Sequence, residues 1–180
     1  MRTTTIPIDD LVILPFEGTA TEVTQALADE LAAQGVPAHI AAPIPLPHAA
    51  YAPERRQYCA EPLLELARRH PGRRVLALID RDLYAPGLNF VFGMAQAPGR
   101  ACVVSSTRLR IGADDRLFRA RLLKEAVHEL GHTLGLEHCA SPRCVMHFSN
   151  SLADTDLKSA AYCRNCLGRL AETGPRVPPT

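Results

Sequence analysis

The stretch Val127–His138, V-H-E-L-G-H-T-L-G-L-E-H, limits what this chain can become more than any other. His128 and His132 stand four apart, slightly more than one helical turn, so on a helix they project from the same face. They can grip one metal ion without bending the backbone. Glu129 follows the first histidine and falls beside the ion, where a base for an activated water belongs. Gly135 takes a left-handed conformation at low cost, ending the helix and turning the chain back. That return brings His138 in as a third nitrogen donor and leaves a fourth position open, which separates a catalytic zinc site from a structural one. H-E-x-x-H alone can arise by chance on an amphipathic helix. The extended form H-E-x-x-H-x-x-G-x-x-H, followed by Met146, is far harder to reach by accident.

A second constellation begins one residue after His138. Cys139 and Cys144 form C-x4-C, and Cys163 and Cys166 form C-x-x-C. Four thiolates close a tetrahedral zinc site, with no position left for substrate. Metal bound there would fix the polypeptide beneath the helix, a staple that short chains commonly need. A redox C-x-x-C is the rival reading. Such a pair usually follows a strand at a helix N-terminus and lacks two further cysteines at ligand spacing. The expectation is therefore two Zn2+ per chain, one catalytic and one structural. Cys59 and Cys102 read as small buried residues. His39, His48 and His70 have no partner at ligand spacing. His147 follows Met146 in a turn beneath the metal; it is read as a packed polar residue, with support of a ligand as the alternative. Asp80, Asp82 and Tyr84 receive no role.

At 180 residues the chain is expected to be one domain with a single core, in which residues 1–138 form the upper portion and residues 139–180 a smaller lower portion. Lys+Arg is 20 and Asp+Glu is 19, which excludes the basic field of a nucleic-acid binder. No apolar run reaches the roughly 18 residues of a membrane span. The N-terminus is polar before any apolar stretch, the reverse of a secretory signal. A cytoplasmic monomer is expected, without membrane or nucleic-acid partners. No propeptide-like segment with a free cysteine precedes the domain, so latency by a cysteine switch is not expected.

Along the chain, Leu11–Phe16 reads as a strand. Thr19 and Glu22 fit a capping box for a helix with Val23, Leu27 and Leu31 on its core face, stopping at Gly35. Val36–Ile40 reads as a second strand. Pro43–Pro53, with four prolines, reads as irregular surface chain. Pro62 suits the first turn of a second helix, and Val75–Ile79 reads as a strand buried on both faces. This order implies α/β wiring with parallel neighbours. Leu88–Phe92 and Ala101–Ser105 lack an intervening helix and are expected to pair antiparallel, giving an edge strand able to bind extended peptide. Asp114-Asp115 opens the long helix, whose Leu123, Val127, Leu130 and Leu134 should face the core opposite His128 and His132. Thr155 or Asp156 is expected to cap one last helix running through Leu157 and Leu170, with Cys163 and Cys166 a turn apart.

The segment His128–Cys166 resembles the archaemetzincins of the metzincin clan, which join the long histidine motif to C-x4-C-x-M and C-x-x-C in that order. Asp82–Gly93 and Arg56-Gln57-Tyr58 are similar to the family as well, so the resemblance spans about residues 55 to 170. It implies a metzincin-like α/β (α+β) fold: a twisted mixed sheet with an antiparallel edge strand, the metal-bearing helix, a Met-turn and a C-terminal helix. By the same route Met146 is the Met-turn residue, and Asn89–Phe92 form the upper rim of a substrate cleft. The implied activity is zinc-dependent peptide-bond hydrolysis with Glu129 as general base, on a peptide or protein substrate. Two other readings stand beside it. One is a weak or inactive zinc- or peptide-binding protein that keeps the fold, against which the intact glutamate argues. The other is a zinc-ribbon-like nucleic-acid module, which the neutral charge and scarce aromatics disfavour.

Overall fold

The computed structural model describes residue 6 and residues 8–172. The chain runs through β1 (Leu11–Pro15), α1 (Thr21–Ala33), β2 (Ala38–Ile40), β3 (Tyr51–Ala52), β4 (Gln57–Cys59), α2 (Ala60–Arg69), β5 (Arg74–Ile79), β6 (Leu83–Tyr84), β7 (Gly93–Ala95) and β8 (Ala101–Ser105). The long α3 (Asp115–Thr133) and the short α4 (Leu152–Leu157) and α5 (Arg164–Glu172) follow. The main sheet has the order β2-β1-β5-β8-β7. Its first four strands are parallel, and β7 adds to β8 antiparallel at the edge.

Side-chain alternation along these strands makes two cores. Leu11, Ile13, Leu76, Leu78, Cys102 and Val104 face α1 and α3. Leu14, Val75, Ala77, Ile79, Ala101 and Val103 face α2. The result is three layers, with α3 lying across β7 and β8.

The structure departs from the sequence expectations in four places here. The capping box of Thr19 and Glu22 does not form, because the N-cap is Ala20 and α1 starts one residue later. The Thr19 hydroxyl instead donates to Leu78 O at 3.2 Å, tying the helix entrance to β5. The proline-rich stretch contains a short 3-10 turn at His48–Ala50 and then β3, which builds a small second sheet of order β3-β4-β6. The apolar run Leu88–Phe92 is not the edge strand. It carries an isolated bridge from Val91 to Leu83, and only its last residue reaches β8, through Ser105 N–H to Phe92 O, before the paired strand Gly93–Ala95 begins. The expected last helix is two. Ser151, not Thr155 or Asp156, caps α4 by accepting from Asp154 N–H, and the chain leaves helix at Lys158 before α5 begins.

Candidate active site

α3 starts where its first residues dictate: the Asp114 carboxylate accepts from Leu117 N–H at 2.7 Å. Leu123, Val127 and Leu130 are buried in the core as their spacing requires, and Leu134 is half-buried at the helix end. The opposite face is not a free surface, however. Glu125, His128, Glu129 and Gly131 are buried as well: Thr155 meets Glu125, Val145 meets His128, Met146 and Tyr162 close on Gly131, and Gly93 of β7 lies against Glu129. The histidine-bearing face is thus packed between β7 and the chain that follows His138.

Gly135, at φ 90°, turns the chain so that His138 joins His128 and His132. One ring nitrogen from each of the three lies within 4.8 Å of the others. His128 Nδ1–H donates to Val145 O and His132 Nδ1–H to Leu136 O, both at 2.8 Å. Those bonds settle the tautomers. Both Nε2 lone pairs then face each other across 3.1 Å. Two bare nitrogens so close repel unless a cation lies between them, and nitrogens about 2.0–2.1 Å from one tetrahedral zinc would be separated by a similar span. Burial holds all three imidazoles below their ordinary pKa, His128 furthest, with the charge of Lys158 adding to it. They are neutral donors.

Burial likewise pushes the Glu129 carboxyl well above the usual carboxylate range, with Glu125 contributing next. Gly93 of β7 makes room for it. A Cβ on Gly93 would stand 2.8 Å from Glu129 Oε1 and 2.8 Å from Val103 O, too close for any side chain. The edge strand and the carboxyl therefore touch directly.

The four cysteines form their own cluster. Cys139 Sγ lies 3.7 Å from Cys163 Sγ, and Cys144 Sγ 3.7 Å from Cys166 Sγ. These separations are far from disulfide lengths, and they match the edge of a tetrahedron with bonds of about 2.3 Å to zinc. Cys163 sits at the entrance of α5, where the Cys166 N–H helps hold its thiol at about 7. Burial raises Cys144 and Cys166. Adjacent residues serve separate clusters, His138 with the imidazoles and Cys139 with the thiols. His147 Nδ1 donates to Cys139 O at 2.9 Å, so it is a packed polar residue. Cys102 is fully buried and Cys59 half-buried, both apart from the thiol cluster.

Between the clusters, His147 N–H to Cys144 O closes a tight turn that carries Met146. Met146 is fully buried against Gly131, where a Cβ would run into its Sδ and come within 3.0 Å of the Tyr162 ring. The Tyr162 hydroxyl donates to Val127 O at 2.9 Å. Only glycine lets the turn seat this closely. Gly131→Ala is expected to lose about 1–3 kcal/mol by overpacking, read as a lower urea midpoint. An unchanged midpoint would mean the turn does not press on the helix.

Sequence reasoning missed one further group. Lys158 Nζ pairs with Glu125 at 2.9 Å, with side chains 0% and 4% exposed. Glu125 lines the same cavity as the histidines. Its place one turn before Glu129 was a signal available in the sequence; nothing marked Lys158.

A buried acid beside three convergent, neutral imidazoles, under the open edge of a sheet, is how a zinc metallopeptidase is built. The relatives agree. The model of peptidase family M54 matches residues 57–172, well over half the chain. The archaemetzincin of Methanopyrus kandleri is 53% identical over 123 residues, 67% of this chain and 70% of that protein. That of Pyrococcus furiosus is 38% identical over 179 residues, covering 91% and 93%. The crystal structure of the Methanopyrus kandleri archaemetzincin superposes with a TM-score of 0.80 at 42% identity, covering 91% of this chain and 93% of that one. The chain belongs to peptidase family M54, the archaemetzincins, and has their metzincin-like fold. It is a zinc metallopeptidase acting on peptide substrates. Among its described residues no helix is long and apolar enough to cross a membrane.

Proposed function

We propose that His128, His132 and His138 hold the catalytic zinc and that Glu129 is the general base of peptide-bond hydrolysis. The observation that carries this reading is the convergence of three neutral imidazoles, two with their other ring nitrogen committed to a carbonyl, in a cavity that a buried carboxyl also lines. Zinc held there would supply Lewis-acid chemistry, polarising the scissile carbonyl and acidifying the attacking water. Glu129 accepts the proton of that water and delivers it to the leaving amine.

β7 holds the substrate backbone. Ser105 N–H to Phe92 O and Gln96 N–H to Ala101 O set the parity of its pairing with β8. Gly93 and Ala95 therefore turn their main-chain groups to the open edge, where an extended peptide can pair with them directly above Glu129. The upper rim of the cleft is thus β7 as much as the expected Asn89–Phe92.

Cys139, Cys144, Cys163 and Cys166 hold a second, structural zinc that seats the Met146 turn. Residues 1–180 work as a single catalytic domain, its described residues up to 138 above the cleft and those from 139 on below it, and as a cytoplasmic monomer without nucleic-acid or membrane partners. Elemental analysis of the purified protein beside a peptide-library digest tests this: about two zinc per chain and cleavage are expected. Cys163→Ser should retain about one zinc, melt at lower temperature and turn over more slowly. One zinc in the unaltered protein, or full activity and stability in Cys163→Ser, would refute the two-site reading.

A further inference from the structure

Six large apolar side chains are exposed among the described residues, and two of them, Leu88 at 50% and Phe148 at 46%, line one cavity with the three histidines and Glu129. Its volume is about 470 Å³. That lies within the usual range for a ligand pocket, roughly 300–1,000 Å³. Leu88 stands on the upper side, just before the rim strand. Phe148 stands on the lower side, just after the Met146 turn, with its ring 4.8 Å from that of His138.

Both are carried on backbone that is pinned from behind. On the upper side, Arg55 donates to Leu88 O at 3.1 Å and to Asn89 O at 3.0 Å, and Gln57 donates to Asn89 O at 3.0 Å. On the lower side, the N–H groups of Asn150 and Ser151 both donate to the Asp154 carboxylate at 3.0 Å. A loosely held apolar side chain would fold down onto the protein; here polar anchors hold each segment in place and leave the apolar side chain in water. Holding apolar surface exposed on fixed backbone is unfavourable for the free protein, and the loss is recovered when a ligand covers it.

We propose that Leu88 and Phe148 are the two jaws of a specificity pocket that closes on one bulky apolar side chain of the peptide substrate, next to the scissile bond. The inference rests on the peptidase reading above and adds its substrate class. A peptide paired along Gly93–Ala95 alternates its side chains between the two sides of the strand, so one side chain points down into the cavity between the jaws. Burying a leucine or phenylalanine there in place of alanine favours cleavage by about tenfold to a hundredfold.

The test uses the zinc-loaded full chain and a set of quenched fluorescent peptides in which each position flanking the cleaved bond is varied among Phe, Leu, Ala, Asp and Lys. At one position the kcat/KM ratio of Phe or Leu to Ala should be about 10–100, and Leu88→Ala or Phe148→Ala should bring it to within about threefold. Ile111→Ala, which trims an equally exposed side chain off the cavity, should keep the full ratio. Zinc content of each variant is measured alongside, because Phe148 lies against His138. The same ranking is expected in the affinities of Glu129→Ala for these peptides, read by fluorescence anisotropy. A preference for Asp or Lys, no preference, or an apolar preference that survives both jaw variants overturns the proposal. Apolar ranking in binding, lost in the jaw variants, with no cleavage of any peptide by the unaltered chain would sustain the pocket and sink the peptidase mechanism.

Discussion

Glu129→Ala is expected to lower kcat by about 10²–10⁴-fold while the protein keeps the zinc content and the unfolding midpoint of the unaltered chain. The retained metal follows from position. The imidazoles converge with one another, and the carboxyl of Glu129 is turned to β7, in contact distance of where Gly93 has no side chain. Removing it takes no donor from the imidazole cluster. Stability is spared because the buried carboxyl holds no ion pair among those of the described residues, and its replacement by a methyl removes an acid that burial already disfavours as a charge. Turnover alone should collapse, because the other carboxyl lining the cavity, Glu125, lies one turn back and is occupied by Lys158 and Thr155. Zinc analysis and single-substrate kinetics on the same preparation decide it. Unchanged turnover would remove Glu129 from the mechanism, and lost zinc would make it a ligand.

Much of this site can be read from the chain because its geometry is local. Residues 128, 132 and 138 span a few turns of helix and one glycine turn, so spacing and φ at Gly135 suffice to bring them together. The thiol cluster is similarly compact in sequence. The parallel strands announce themselves through apolar runs buried on both faces, as in β5. What spacing cannot reveal is which of two neighbouring segments a tertiary contact selects. Leu88–Phe92 has the composition of a strand, yet Phe90 spends its ring on Arg108 at 4.2 Å and on Phe92 at 5.2 Å. The edge strand is Gly-Met-Ala, poor in strand formers, because only glycine fits against Glu129 there. In the same way α3 was legible as one buried face. Its second buried face depends on Met146, Tyr162 and the thiol cluster arriving from later in the chain, and no periodicity within the helix records that.

Lys158→Met is expected to cost about 3–5 kcal/mol of stability, although the residue lies outside both the imidazole and the thiol cluster. The cost has a definite source. Lys158 leaves the end of α4 and turns inward, with none of its side chain exposed, to meet Glu125 at 2.9 Å. Thr155 adds a hydroxyl to Glu125 Oε1 at 3.2 Å. Arg121, also buried, grips Asp156 through two bonds of 2.7 Å, and Lys124 reaches Thr155 O and Asp156 O. α4 is therefore docked on α3 by charge and hydrogen bonds, while its own Leu157 stays 60% exposed. Methionine fills the space of the lysine stem but leaves Glu125 as an unpaired buried charge. If that is the origin of the loss, Glu125→Gln combined with Lys158→Met should be more stable than Lys158→Met alone, because the second change removes the stranded charge. Denaturant unfolding of the single and double variants measures this, and the single variant should melt roughly 6–20 °C lower. Losses that simply add would mean the two residues act separately. A coupled loss would explain why a lysine is kept in the interior: the charge pair fixes α4, and α4 in turn holds, through Asp154, the segment that presents Phe148 to the cleft.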